Sequence, residues 1–439
     1  MYSLLIRNAL IAQADGTTFE GDLACLGSKI VRIDGIIDDG ARETINAEGK
    51  LLMPGVIDPQ VHFRDPGATH KEGLDSGSRA AVKGGVTSFL EMPNTNPATI
   101  SQQELDKKLE RAAMVSSANF GFFIGATTEN LAAINSVAPV CGIKIFMGSS
   151  TGNLLVDKEK DLEHIFANGD RLIAVHAENE ARIKARTEAL LSKGGPVEHA
   201  IHSQIRDVQC AVEATQLALS LSNRYQRRLH ILHLSTGAEV DILRQNKPAW
   251  VTAEVIPNHL FLNISDYQDK KSLVQMNPPI REISDNQKLW HGLKDGVIDI
   301  IATDHAPHLL SEKDQKYPLS PSGMPGVETS LPLMLTEMVA GRCTLKEILS
   351  WMCQGPAQTY RIKNKGVIAE DWDADLTIVD IDNFKKVRNE DMFTRVGWNP
   401  YQGRSLTGWS SHTIVGGQIA YAEGKIREGV FGKALEFDT

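Results

Sequence analysis

The sequence predicts an α/β protein: a (β/α)8 barrel of the TIM type with a small β-sandwich domain formed from both chain ends. Three observations carry that prediction. Eight short apolar runs recur across about 300 residues in the middle of the chain, and segments of helical pattern lie between them. Both termini read as short strands broken by turn residues, with no convincing helical period. Neither end is large enough to build a good core alone, so the economical solution pairs the two ends and inserts the barrel between them. The expected division is a discontinuous β domain at 1–52 and 366–439 and a barrel at 53–365. A doubly wound open sheet is the competing arrangement.

The elements follow in order. At the N-terminus, residues 3–11, 23–26 and 29–33 are strand-like, with Asp15-Gly16 and Glu20-Gly21 as turns. The eight barrel runs are 56–62, 87–93, 118–125, 142–148, 172–176, 229–234, 250–256 and 297–303. Helical character marks 77–83, 104–113, 162–167, 208–221 and 238–245. At the C-terminus, 374–380 and 412–421 are strand-like, with Gly416-Gly417 and Glu423-Gly424 as turns. No P-loop or GxGxxG follows a strand, so a nucleotide cofactor is not indicated.

Composition narrows the partners. With 46 Lys+Arg against 55 Asp+Glu, the formal charge is −9, which argues against a nucleic-acid partner. No apolar run approaches the ~18 residues of a membrane span, and Arg7 interrupts the apolar N-terminus, so neither a membrane nor a secretory signal is expected. Five cysteines, odd in number and without a CxxC, read as buried free thiols in a reducing cytoplasm.

The polar residues collect where barrel enzymes place their chemistry, at the C-terminal ends of strands. Asp58, Gln60 and His62 alternate on the first run, so they share a face, with Arg64 just beyond. Lys144 lies in the fourth run, His176 ends the fifth, His233 ends the sixth and Asp304 follows the eighth. Each has an ordinary reading by itself: a packed histidine, a snorkelling lysine, a capping aspartate, a surface ion pair. A barrel would bring them together, and imidazole plus carboxylate suit a catalytic divalent metal, with zinc the default. A lysine inside a strand buried on both faces should have a lowered pKa. Its neutral amine could add carbon dioxide and become a two-oxygen carbamate; pairing with a buried carboxylate is the alternative.

These residues, in this order, resemble the amidohydrolase superfamily and most closely its dihydroorotases. The resemblance covers nearly the whole chain. It runs through residues 58–67, Met92-Pro93-Asn94-Thr95, 142–153, His176-Ala177-Glu178, His233-Leu234-Ser235-Thr236, 254–260, Asn277-Pro278-Pro279-Ile280-Arg281, 304–308 and 397–403. It implies that His62, carbamylated Lys144, His176, His233 and Asp304 hold the metal. Asp304 would be the general base that takes a proton from the attacking water and returns it to the leaving nitrogen. Arg64, Asn94, Asn277, His308 and the backbone at Ser322-Gly323 would bind substrate. Arg64 discriminates within the superfamily, because a guanidinium can grip a carboxylate that allantoin and simple hydantoins lack.

The implied reaction is the reversible cyclisation of N-carbamoyl-L-aspartate to L-dihydroorotate in pyrimidine biosynthesis. Residues 148–153 would form a loop that closes over substrate. One departure stands out: the pattern has His-x-His at the first strand, and here it is Gln60-Val61-His62. An amide is a weaker zinc ligand than an imidazole, so the implied zinc content is one or two ions. Asn258 stands where dihydroorotases often have His and carries no expected ligand role. Two alternatives stay open. One is another cyclic amidase of allantoinase or hydantoinase type; the other is a degenerate dihydroorotase acting as a structural partner of aspartate transcarbamoylase. A homo-oligomer is compatible with either.

Overall fold

The computed structural model describes residues 1–149, 154–192, 194 and 197–438. All eight apolar runs are parallel strands. Val56–Val61, Val86–Glu91 and Asn119–Phe122 pair in one group. Ile124–Gly125, Ile143–Phe146, Ile173–His176, Leu229–Ile231, Val251–Val255 and Ile300–Ile301 pair in the next. The third run divides at Phe123, whose N–H bonds Glu91 O at 3.1 Å while its ring packs on Tyr360. The first and eighth strands close the barrel: His62 N donates to His305 O at 2.8 Å, and Val61 bridges His305. The strands are almost continuously buried, as expected when helices cover the outside and side chains fill the inside.

The helices form where the sequence offers both an apolar stripe and a cap. Gln102–Val115 begins behind Ser101, whose hydroxyl accepts from Glu104 N. Val208–Tyr225 begins behind Asp207, and Gly237–Asn246 starts with a Thr236–Glu239 capping box. Leu74–Lys83 and Glu159–Ala167 complete the five predicted helical segments. Glu180–Leu191, Ile283–Lys294 and Ser330–Val339 were not marked by the sequence pattern. Glu180–Leu191 carries a weak apolar stripe and many charges, and Ser330–Val339 is apolar nearly all round and buried, so neither shows a clean amphipathic period; Ile283–Lys294 does bury a stripe through Leu289, Trp290 and Leu293.

Strands from both chain ends form one nine-stranded sheet. Leu51–Pro54 is its seam: it runs parallel to Tyr2–Ala12 on one side and antiparallel to Leu376–Asp380 on the other. Leu4, Ile6, Leu23, Ile30, Leu52, Leu376, Ile378 and Ile414 fill its core. The strand-like residues 412–421 belong to a hairpin of Trp409–Val415 and Gln418–Ala422 that turns at Gly416-Gly417, as expected.

Asp375 ties sheet to barrel. Its Oδ1 accepts from Asn119 Nδ2 on the third barrel strand at 3.0 Å and from Gly416 N at 2.8 Å, and its Oδ2 meets the buried Lys365 ammonium. Asp375→Ala should lower stability by about 3 kcal/mol, the low end for breaking a buried pair, because Lys365 keeps Asp373. Denaturant unfolding measures this; a loss under about 1 kcal/mol would remove the tie from the account.

Candidate active site

The site begins with the alternation on the first strand. Asp58 Oδ1 accepts from Thr303 N at 3.1 Å and Oδ2 from Thr303 Oγ1 at 2.5 Å, which locks the eighth strand to the first. Burial pushes the Asp58 carboxyl up to about 7. Gln60 Nε2 donates to Asp304 Oδ1 at 3.3 Å, and its Oε1 is buried without a hydrogen-bond partner. His62 Nε2 lies 3.0 Å from Asp304 Oδ1 and its Nδ1 2.7 Å from Asn94 Oδ1.

The fourth to seventh strands supply the second half. Lys144 is 1% exposed, with its ammonium 4.5 Å from the Phe146 ring centroid. Burial lowers its pKa to about 7, against the pull of Asp304 and Glu254. Its charge in turn depresses His62, His176 and His233, all of which burial already lowers, so the imidazoles are neutral. His176 Nδ1 stands 3.1 Å from His233 Nε2, and His233 Nδ1 is buried without a partner. Glu178 faces His176 Nε2 at 3.0 Å and is also bonded by Arg206. Burial would raise Glu178, but Arg206 and His176 outweigh it and hold the carboxylate at about 2. Glu254 receives His233 N at 3.3 Å and touches His230 Nε2 at 3.0 Å.

Backbone geometry marks the same places. Arg64, His233 and Asp304 have φ of 62°, 38° and 47°, a left-handed conformation uncommon for residues with a side chain. Such conformations cost of order 1–3 kcal/mol each and gather at functional sites.

His62, Arg64, Asn94, Asn277, Asp304 and Gly323 line one recess. It shares Arg64 and Asn94 with a cleft of about 690 Å³ that also includes Lys71, Thr127 and Leu154. Arg64 is buried; its Nη2 lies 3.4 Å from His308 Nε2 and its Nε has no hydrogen-bond partner. Burial lowers the guanidinium to about 10. His308 is held by Trp398, whose Nε1 donates to His308 O at 2.8 Å, and by Ser322 O, 3.0 Å from its Nε2. Asn277 Oδ1 is fixed 2.8 Å from His202 Nε2. Gly323 adopts φ 138°, and a Cβ there would sit 2.4 Å from Ala306 O, so only glycine fits that wall. The structure therefore gathers the substrate-side candidates around one recess and sets the metal-side candidates at neighbouring strand ends. Of the expected closing loop, residues 150–153 lie outside the described residues.

The donor set fits a divalent ion. It combines neutral imidazoles, the Asp304 carboxylate and two orphaned buried acceptors, His233 Nδ1 and Gln60 Oε1. The donors stand as two pairs, His62–Asp304 and His176–His233, with Lys144 exerting its charge on both. Among the described residues, no three His, Cys, Asp or Glu form a closed ligand cluster. A two-oxygen anion in place of the Lys144 cation is what would join the pairs.

Sequence reading did not assign roles to Asp58, Glu178, Arg206, His202, Glu254 or Lys71. Glu178 and Asp58 sit inside the motifs and were in view; Arg206 and His202 lie between motifs and only packing brings them in. Asn258 accepts from Tyr401 OH at 2.8 Å, a structural role. All five cysteines are buried and free, as expected.

The profile of the amidohydrolase family matches residues 51–420 of this chain. The chain belongs to the amidohydrolase family. It is 37% identical to a dihydroorotase of Methanosarcina acetivorans over 397 residues, covering 87% of this chain and 84% of that one. It is 31% identical to a dihydroorotase of Bacillus subtilis, covering 97% and 99%. Among solved structures it superimposes on an L-hydantoinase (dihydropyrimidinase) from Arthrobacter aurescens with a TM-score of 0.94 at 29% identity, covering 99% and 100%. No helix among the described residues is long and apolar enough to cross a membrane.

Among the described residues, Arg206 is the one Lys or Arg paired directly with the buried Glu178, and Arg206→Met should cost about 3–5 kcal/mol by removing that carboxylate's main counter-charge. The double variant Arg206→Met/Glu178→Gln should recover much of the loss. A double-mutant cycle in denaturant unfolding checks this; purely additive losses would mean the two groups are not coupled.

Proposed function

We propose that this chain is a dihydroorotase, interconverting L-dihydroorotate and N-carbamoyl-L-aspartate with the help of a divalent metal, zinc by ligand chemistry. The observation that supports it most is Arg64. This guanidinium is deeply buried, its Nε has no hydrogen-bond partner among the described residues, and the pull of Asp304, Glu91, Glu312 and Glu72 does not outweigh its desolvation. A substrate carboxylate entering the recess supplies a further anion and accepts a charge-assisted hydrogen bond. The names of the Methanosarcina and Bacillus relatives agree with this reading. The activity in the Arthrobacter protein's name is opening of hydantoin-type rings, and such rings need no carboxylate partner.

In the ring-opening direction, Arg64, Asn94 and His308 hold the carboxylate and ring, and Asn277 and the Gly323 wall fix the far edge. Asp304 takes a proton from the attacking water as the new C–O bond forms. The C–N amide bond then breaks, and Asp304 returns the proton to the leaving nitrogen, so no net proton is consumed at the site. The bound metal supplies polarisation of the carbonyl and a lowered pKa for water. His62, Lys144, His176, His233 and Asp304 would hold it. Lys144 does so as its carbamate: the neutral amine adds to the carbon of carbon dioxide, a C–N bond forms and a proton leaves to solvent. Intact mass in bicarbonate buffer should show about 44 Da of added mass that Lys144→Met lacks.

Arg64→Ala tests the proposal directly. Losing a charge-assisted pair costs about 1.5–3 kcal/mol, so KM for dihydroorotate should rise roughly 10–150-fold. Unchanged kinetics would mean the carboxylate binds elsewhere and would remove the main support.

Gln60 sets the metal content. Its amide already spends Nε2 on Asp304, leaving only the weaker Oε1 as a ligand. The protein should hold about one tightly bound metal per chain, and Gln60→His should move the count toward two. Elemental analysis after removal of loosely held ions decides it; two tight metals in the unmodified protein would contradict the weak position.

A further inference from the structure

The barrel carries a second cavity at its opposite end. It lies where the chain enters the fourth, fifth and sixth strands and measures about 760 Å³. Its lining includes four arginines, Arg171, Arg227, Arg228 and Arg361, against two carboxylates, Asp170 and Asp438. Asp438 is drawn to Lys363 at 3.4 Å. In a chain of net charge −9, this is a local reversal of sign.

Arg227 distinguishes the cavity from an ordinary basic surface. It is 2% exposed; Nη1 donates to Asn168 O at 2.8 Å, while Nε and Nη2 are buried with no hydrogen-bond partner among the described residues. Tyr360 lines the same cavity, and its hydroxyl is likewise buried and unpartnered. Leaving such groups unsatisfied is costly unless something else pairs with them. Arg171 and Arg228 are held in place by backbone carbonyls: Ile134 O at 3.2 Å and Thr359 O at 2.9 Å. Burial lowers Arg227 against the pull of Asp170, and the nearby Arg171 lowers it further. A fixed guanidinium with two unpartnered donors, as at Arg227, suits a tetrahedral oxyanion, which can accept two parallel N–H bonds.

The volume falls in the range of small-molecule sites, larger than a bare phosphate requires. Tyr225, Tyr360 and Phe437 give the cavity an aromatic side. We propose that this cavity at the strand-entry end of the barrel, lined by Arg171, Arg227 and Arg228 and by the aromatic rings, binds a phosphorylated small molecule with a planar ring, of the nucleoside monophosphate class. The site is separate from the catalytic recess and stands whether or not the dihydroorotase reading holds. It is contiguous with the active site only through packing: Tyr360 contacts His230, which touches Glu254.

Calorimetric titration of the full chain at about 0.15 M salt tests it, with uridine and adenosine 5′-monophosphates, the two nucleosides and inorganic phosphate as probes. A monophosphate should bind at least about 10-fold more tightly than its nucleoside, as expected for one or two charge-assisted bonds. Arg227→Met and Arg228→Gln should each weaken binding by about 10-fold or more, while Arg64→Ala in the catalytic recess should bind as the parent does. Arg228 is less buried, so its variant carries the test should Arg227→Met fail to fold. The proposal is overturned by no monophosphate binding at millimolar concentration, or by equal binding of nucleoside and nucleotide. Binding lost in Arg64→Ala but kept in Arg228→Gln would overturn it too.

Discussion

Desolvation of Lys144 is the constraint around which the catalytic end is arranged. The ammonium lies on the inner wall of a strand buried on both faces, and water cannot solvate it there. Burial keeps His62, His176 and His233 neutral, with the Lys144 charge adding to the effect, and neutral imidazole is the state that offers a lone pair. Burial brings the Lys144 pKa to about 7, so an appreciable fraction is neutral amine near physiological pH. Conversion to an anion would relieve the desolvated cation and supply the oxygen ligands that the two donor pairs lack.

A second layer holds these groups at fixed orientation. Glu178 and Arg206 steady His176, Glu254 receives the His233 backbone, and Asp58 clamps Thr303 beside Asp304. The far end of the chain contributes through Trp398, which holds the His308 backbone. Arg64, His233 and Asp304 each hold a left-handed backbone just past a strand end. The packing of the surrounding barrel over-determines these conformations, which is how a costly local geometry persists.

The barrel was legible because its strands are buried on both faces and so read as apolar runs ended by polar residues. That signal located Val56–Val61 through Ile300–Ile301 and, by the same logic, the ends where His62, His176, His233 and Asp304 stand. Lys144 was legible as a charge where burial was expected, and Arg64 through its place just beyond the first strand and the family resemblance. Helices such as Glu180–Leu191 were not, since packing rather than a strong apolar stripe holds them. Arg206 is 28 residues from Glu178, and Thr303 is 245 from Asp58; no local pattern announces such partners. The strand-entry cavity was illegible for the same reason: its arginines belong to three different connections, and only the closed barrel brings them together.

The central claim is that the buried Arg64 awaits a carboxylate on the ring. Comparing kcat/KM for dihydroorotate with that for dihydrouracil, the same ring without the carboxylate, addresses it most directly. The account predicts a preference for dihydroorotate of roughly 10–150-fold or more, the worth of a charge-assisted pair in a desolvated site. Equal efficiency on the two rings, or a preference for dihydrouracil, would contradict it.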